Sequence, residues 1–159
     1  MQVSGELTFQ GPREQVWALL NNPDVLARCT PGCEQLLPVG PDQYSARVSI
    51  GLAAVKGRYE GTLAVQDKQE PSLMTLRIDM KGTTGFVQVN GRMALVEAGA
   101  DVTRVQYDWD VQVGGPISMV GQRVLGGVAK WIIGEFFGTA QNELTARQGG
   151  GASVETRTV

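Results

Sequence analysis

The sequence predicts an α+β fold in which one curved, seven-stranded antiparallel sheet wraps a long C-terminal helix. Three observations lead there. About seven segments alternate apolar and polar residues, so each strand has one wet face, as in an antiparallel sheet covered on one side. The longest helical periodicity, from Pro116 to about Arg147, comes last in the chain. One helix cannot flatten against a twisted sheet of that width. The sheet must curl around it, and a curled sheet gripping a helix encloses volume.

The first strand sets Val3, Gly5, Leu7 and Phe9 against Gln2, Ser4, Glu6, Thr8 and Gln10. Gly11-Pro12 then places proline at the first helical position, with Glu14 in the first turn ahead of Val16, Trp17 and Leu20. Asn22-Pro23-Asp24 caps a second short helix through Leu26, which stops before Pro31-Gly32. A short strand lies near Gln35–Val39. Four longer ones follow, carrying Tyr44, Ala46, Val48, Ile50 and Leu52, then Tyr59, Gly61, Leu63 and Val65, then Met74, Leu76, Ile78 and Met80, then Val87, Val89, Met93 and Leu95. The clearest alternation is the last: Thr103, Val105, Tyr107, Trp109, Val111 and Val113 against Arg104, Gln106, Asp108, Asp110 and Gln112. With 159 residues, the chain has the length of one domain and buries roughly two-thirds of its unfolded surface. Residues 1–147 form that domain. Residues 148–159, with three consecutive glycines and no apolar periodicity, read as a disordered tail.

Projected at ~100° per residue, Ile117, Val120, Gly121, Val124, Leu125, Val128, Trp131, Ile132 and Phe136 share one face of the last helix, the one expected to pack on the sheet. Gly121, Gly126, Gly127, Gly134 and Gly138 weaken this helix by about 1 kcal/mol each relative to alanine. Either they allow close packing on the sheet or they leave room for a ligand. Glu135 projects near the middle of the apolar face, where a carboxylate needs a partner or a wet rim. The opposite face carries Met119, Ile133 and Phe137 beside Arg123 and Lys130, a cluster suited to a partner or a membrane surface.

Much chemistry is excluded. The chain contains no histidine, which removes Ser-His-Asp and Cys-His nucleophile systems, a histidine base and a histidine-bearing zinc site. Cys29 and Cys33 stand in a C-x3-C string without a second pair, and read as reduced thiols flanking a Pro-Gly turn; no metal or other cofactor is expected. A net charge of −2 with no Lys/Arg run argues against nucleic acid. No Gly-rich phosphate loop occurs, and Asp108 and Asp110 share the polar face of their strand. No signal sequence or membrane-spanning apolar run is read, so the expected location is the cytoplasm.

What remains is an apolar interior. The inner sheet face offers Tyr44, Val48, Ile50, Met80, Val89, Trp109 and Val111; the helix region adds Ile117, Gly121, Val124, Leu125 and Val128 as candidate ligand-binding residues. Methionine and glycine suit a flexible ligand, because one adapts and the other leaves room. Tyr44, Tyr59 and Tyr107 share faces with apolar residues, and their hydroxyls either make the few polar contacts of a pocket or reach the surface. No residue is read as catalytic.

The string Trp17-Ala18-Leu19-Leu20-Asn21-Asn22-Pro23-Asp24-Val25-Leu26-Ala27-Arg28-Cys29-Thr30-Pro31-Gly32-Cys33-Glu34 closely resembles a signature of the carbon monoxide dehydrogenase G-subunit family. Val113-Gly114-Gly115-Pro116 and the stretch Val120-Gly121-Gln122-Arg123 through Ala129-Lys130-Trp131 to Glu135-Phe136-Phe137 resemble a second. The resemblance covers Met1 to about Arg147. It implies the START-like, helix-grip fold and a non-catalytic accessory role around molybdenum hydroxylases such as carbon monoxide dehydrogenase. It further implies a quinone or lipid-like ligand and recruitment of the enzyme to the inner membrane face. Longer members continue into an extension that promotes membrane attachment; here a short, mostly polar stretch follows the domain, which points to a soluble carrier or to service of another dehydrogenase. START-like relatives include cyclases and hydratases, so an enzyme acting on an apolar substrate in the same cavity is the alternative.

Overall fold

The computed structural model describes residues 1–149. Its strands are β1 (Gln2–Gln10), β2 (Cys33–Gly40), β3 (Gln43–Ile50), β4 (Gly57–Gln69), β5 (Leu73–Gly82), β6 (Gly85–Gly99) and β7 (Val102–Gly114). They form one antiparallel sheet in the order β1-β7-β6-β5-β4-β3-β2. Helices α1 (Arg13–Leu20) and α2 (Pro23–Cys29) follow β1 and carry the chain to the far edge, where β2 begins. As read from sequence, the Asn22 side chain caps α2, accepting from the Asp24 amide at 2.9 Å. Pro12 lies one position earlier than expected, as the N-cap of α1.

Register puts the predicted apolar faces on one side. The inward row Tyr44–Leu63–Ile78–Val89–Val111 crosses five strands through direct pairs, and the next row joins Val65, Leu76, Gly91, Trp109 and Val3. A one-residue slip would turn these side chains into solvent, so the apolar pattern and the register specify each other. Inward glycines let aromatic rings lie flat on the curved sheet. A Cβ on Gly91 would come within 2.5 Å of Trp109 Cδ1, and one on Gly5 within 2.6 Å of the Tyr107 hydroxyl.

The C-terminal segment departs from the expected single rod. Pro116–Val120 is a 3₁₀ turn, Gly121 has φ +91°, and helix α3 then runs over Gln122–Gly149. The packed face differs from the expected one. Ile117 and Val120 belong to a separate element, and within α3, where apolar residues occupy two adjacent stripes, docking on α1, α2 and β1 selects the stripe that is buried. The buried stripe is Ile133, Phe137, Ala140 and Leu144, flanked inward by Leu125, Val128, Ile132 and Phe136. Trp131 and Val124, expected on the packed face, are instead exposed (42% and 40%), and Glu135 is exposed rather than central to an apolar face. Conversely, Ile133 and Phe137 leave the expected surface cluster for the core; only Met119 of its three apolar members stays outside, at 87% exposure. The tail expected from residue 148 lies outside the described residues beyond Gly149, and the helix reaches that point.

Two packed regions result. The larger joins α1, α2 and the C-terminal half of α3 to one end of the sheet, around Phe9, Trp17, Leu19, Leu95, Val105, Phe137 and Leu144. Here Phe9 meets Phe137 edge-to-face, with ring centroids 5.8 Å apart. Arg28 of α2 clamps Glu143 of α3 through two 2.9 Å hydrogen bonds. The smaller region closes the other end with Ile50, Val55, Tyr59, Met80 and Ile117.

Candidate functional site

Between these two regions the sheet is incompletely covered. The backbone of α3 approaches α1, α2, β1 and the 3₁₀ segment rather than the central strands. On those central strands, inward Leu63, Val65, Leu76, Ile78, Val87 and Val89 are only half-buried, whereas Met74 and Met80 towards the ends of the face are buried. A helix packed directly on the sheet would bury the middle most completely. The reverse holds here, so the middle of the concave face borders open space.

A cleft of about 380 Å³ lies beside the start of α3, lined by Met1, Val111, Gln112, Val113, Ser118, Gln122 and Leu125. It lies where β7 runs past its pairing with β1, under the 3₁₀ segment and the first turn of α3. The Ile117 amide donates to the Thr84 carbonyl at 2.8 Å, tying that segment to the β5–β6 turn. The cleft combines apolar walls with the uncharged polar groups of Gln112, Gln122 and Ser118; Met1, which also lines it, carries the N-terminal ammonium, which donates to the Val111 carbonyl at 2.7 Å.

Of the candidate residues, Val48, Ile50, Met80, Ile117, Leu125 and Val128 meet in the smaller packed region. Tyr44, Val89 and Val111 share the inward row at the gap; Tyr44 and Val111 are buried without joining either packed cluster. Trp109 sits one row further along, against the larger region. Two assignments need correction. Val124 points outward because α3 docks on α1, α2 and β1 through the neighbouring apolar stripe. Gly121 is not a helical position facing the sheet; its positive φ breaks the chain between the 3₁₀ segment and α3. Cβ atoms at Gly121, Gly126, Gly127, Gly134 and Gly138 would meet nothing within 4 Å, so close packing explains none of these glycines. Gly126 is partly buried, but Gly127, Gly134 and Gly138 face outward and nothing in the structure accounts for them.

Polar chemistry inside is sparse. From Tyr44 to Val113, the residues that pair inward in the middle of β3 to β7 are all uncharged. Glu97, opposite Thr103 at the end of β6, is exposed and pairs with Arg13 of α1 at 3.1 Å, away from the gap. The Tyr59 hydroxyl donates to the Val55 carbonyl at 2.7 Å and lies 3.0 Å from Thr84 Oγ1, which makes it structural. The Trp109 indole Nε1 is buried without a hydrogen-bond partner, a feature that strand alternation could not reveal. Both cysteines are free thiols, raised above the ordinary thiol range by burial. Among the described residues, no group of three or more Cys, Asp or Glu side chains is placed to hold a metal. No helix among them is long and apolar enough to cross a membrane.

No curated protein matches the chain. Among solved structures, a conserved protein from Geobacillus kaustophilus is 36% identical, with a TM-score of 0.89 over 91% of this chain and 95% of that one. A START superfamily protein from Mycobacterium smegmatis (17% identity, TM-score 0.73, 92% and 98% coverage) shares the fold. So does the Zhui aromatase/cyclase from Streptomyces sp. R1128 (14%, 0.70, 97% and 99%). These neighbours establish the START-like, helix-grip architecture expected from sequence. The family model for the carbon monoxide dehydrogenase G subunit (CoxG) matches residues 5–145, and the chain belongs to that family.

Proposed function

We propose that this protein is a non-catalytic carrier that holds an extended apolar molecule, a quinone or lipid, between the concave sheet face and α3. The observation that carries this reading is the inverted burial of the sheet, half-buried in the middle and sealed at both ends. An apolar chain laid along the gap gains about 0.8 kcal/mol per methylene removed from water, which offsets the cost of immobilising it. The inward residues at the gap include no Asp, Glu or Lys, with the Tyr44 phenol as their titratable group, and this supports carriage over catalysis, because proton transfer ordinarily uses a group that titrates near neutral pH within reach of the substrate. The family membership supports service to a molybdenum hydroxylase of the carbon monoxide dehydrogenase type. Outward Val124 and Trp131, with Arg123 and Lys130 on the adjacent stripe of α3 and Met119 just before it, suit transient contact with an anionic membrane surface, where such a carrier loads.

The decisive experiment is native mass spectrometry of protein purified from its own host, followed by solvent extraction. A quinone or lipid at near one equivalent is expected. Protein that is mass-homogeneous without ligand, and that fails to bind an added short-chain quinone, refutes the carrier reading. Sedimentation with anionic vesicles, with and without Trp131→Glu, tests the membrane contact separately.

A further inference from the structure

The two ends of the gap are closed by different means. Helices seal the larger region, where the Arg28–Glu143 bonds at 2.9 Å and the Phe9–Phe137 contact hold them together and to the sheet. Loops complete the smaller one. Beyond the sheet and the inward residues of α3, its cover is Val55 and Ile117. Val55 comes from a 3₁₀ turn over Ala53–Val55, between β3 and β4, and Ile117 from the strap Pro116–Val120, between β7 and α3. Both loops are tied to the β5–β6 turn. The Tyr59 hydroxyl donates to the Val55 carbonyl at 2.7 Å and lies 3.0 Å from Thr84 Oγ1. The Thr84 carbonyl in turn accepts from the Ile117 amide at 2.8 Å. Tyr59 and Thr84 thus form a clasp between three connections.

The strap is built to move as one piece. The Ser118 amide and hydroxyl both donate to the Gly115 carbonyl, at 3.0 and 2.7 Å, so the turn keeps its own shape. Gly115 (φ +81°) and Gly121 (φ +91°) stand at its two ends, where glycine turns without the steric penalty of a side chain. A Cβ at Gly121 would meet nothing within 4 Å, which leaves that end room to rotate. Ile117 is the one buried side chain of the strap, and Met119 is fully outside. The cleft lies directly beneath, with Ser118 in its wall.

We propose that this strap is the door of the cavity: it swings about Gly115 and Gly121, lifts Ile117 out of the smaller region, and is held shut by the Tyr59–Thr84 clasp. Parting a few hydrogen bonds and one buried side chain costs less than separating the helices of the larger region, so this end opens first. The ligand-bound state is closed. The clasp therefore sets the rate of exchange and leaves the affinity unchanged. The proposal rests on the carrier reading and adds to it the route of entry and the residues that govern it.

The test is stopped-flow binding of Nile red, a neutral apolar dye, to the full-length protein and its variants. Tyr59→Phe keeps the ring and removes the hydroxyl; association and dissociation should both quicken by about three- to tenfold, with Kd within about twofold of wild type. Thr84→Val, in a half-buried turn, removes the other hydroxyl and should quicken both rates by about twofold or more, even if Tyr59→Phe folds poorly. Hydrogen exchange of the Ile117 amide, measured by NMR without dye, should rise by the same factors, because that amide is freed when the strap lifts. Val25→Ala, in the larger region, lowers overall stability without touching the strap and should leave dye rates and Ile117 exchange as in wild type. Unchanged dye rates in both clasp variants, or equal quickening in Val25→Ala, overturn the door and leave the carrier reading standing. Faster dissociation alone, with weaker Kd, also overturns it, since Tyr59 is then a wall of the cavity. Failure of Nile red to bind the wild-type protein overturns the carrier reading, and the door with it.

Discussion

Leu125 and Leu144 allow the cavity to be weighed against a packed core within a single helix. Both are leucines on α3, but Leu125 is half-buried and lines the 380 Å³ cleft, whereas Leu144 is 1% exposed in the larger core. That cleft holds roughly a dozen waters at about 30 Å³ each, ample for an indole. Leu125→Trp should therefore fill existing space, costing less than about 1 kcal/mol, because added volume strains a structure only where neighbours must move. Leu144→Trp meets a filled site; a Cβ on Gly11 would already lie 2.7 Å from its Cδ2. Overpacking there should cost about 1–3 kcal/mol or more. For a protein of this size, each kcal/mol corresponds to about 2–4 °C in Tm. Leu144→Trp should then melt roughly 3–10 °C lower, while Leu125→Trp stays within about 3 °C of wild type. Calorimetry measures both, and titration with a short-chain quinone should show binding lost in Leu125→Trp alone. A Leu125→Trp melting loss equal to that of Leu144→Trp, or unimpaired quinone binding by it, would refute the open-cavity argument.

Three further outcomes are expected. Gly121→Ala should lower Tm by roughly 2–6 °C despite the empty space around it, because its φ of +91° costs a side-chain-bearing residue about 1–2 kcal/mol; an unchanged Tm contradicts the backbone account. The Arg28 guanidinium holds the Glu143 carboxyl below the usual carboxylate range. A group whose folded pKa is depressed stabilises above its unfolded pKa and loses that contribution as pH falls through the folded one. Glu143→Gln should thus melt about 2 °C lower than wild type at pH 7, with the difference shrinking as pH falls below the ordinary carboxylate value of about 4.3 and gone once pH has passed the depressed folded one; a pH-independent gap counts against the pairing. Burial raises both thiols, so iodoacetamide at about pH 7.5 should alkylate native Cys33 and Cys29 more slowly than the unfolded chain, Cys29 slowest; rates equal to the denatured ones defeat this reading.

Alternation alone is enough to name the sheet. In Thr103–Val113 every second residue points to one face, and only one register keeps those residues inward across several strands. The Asn22 cap is equally legible, since capping depends on neighbours two or three residues away. The helix face is not. Apolar residues occupy two adjacent stripes of α3, and docking on α1, α2 and β1 turns Ile133 and Phe137 inward while Val124 and Trp131 face out. Periodicity reports which residues are apolar, but not which of two apolar stripes a neighbouring layer covers. Glu143 likewise finds its partner 115 residues away, a distance no local pattern spans. The inward row of Tyr44, Val89 and Val111 is readable from strand parity, because parity is local. Whether that row is packed or open is decided only by α3 anchoring on α1, α2 and β1 and standing off the sheet centre. The same holds for Trp109. Its side of the strand follows from the sequence, while its unpaired Nε1 depends on Gly91 lying directly opposite on β6, a pairing set by the assembled sheet. Empty space and missing partners are properties of the packed layers, and no residue encodes them alone.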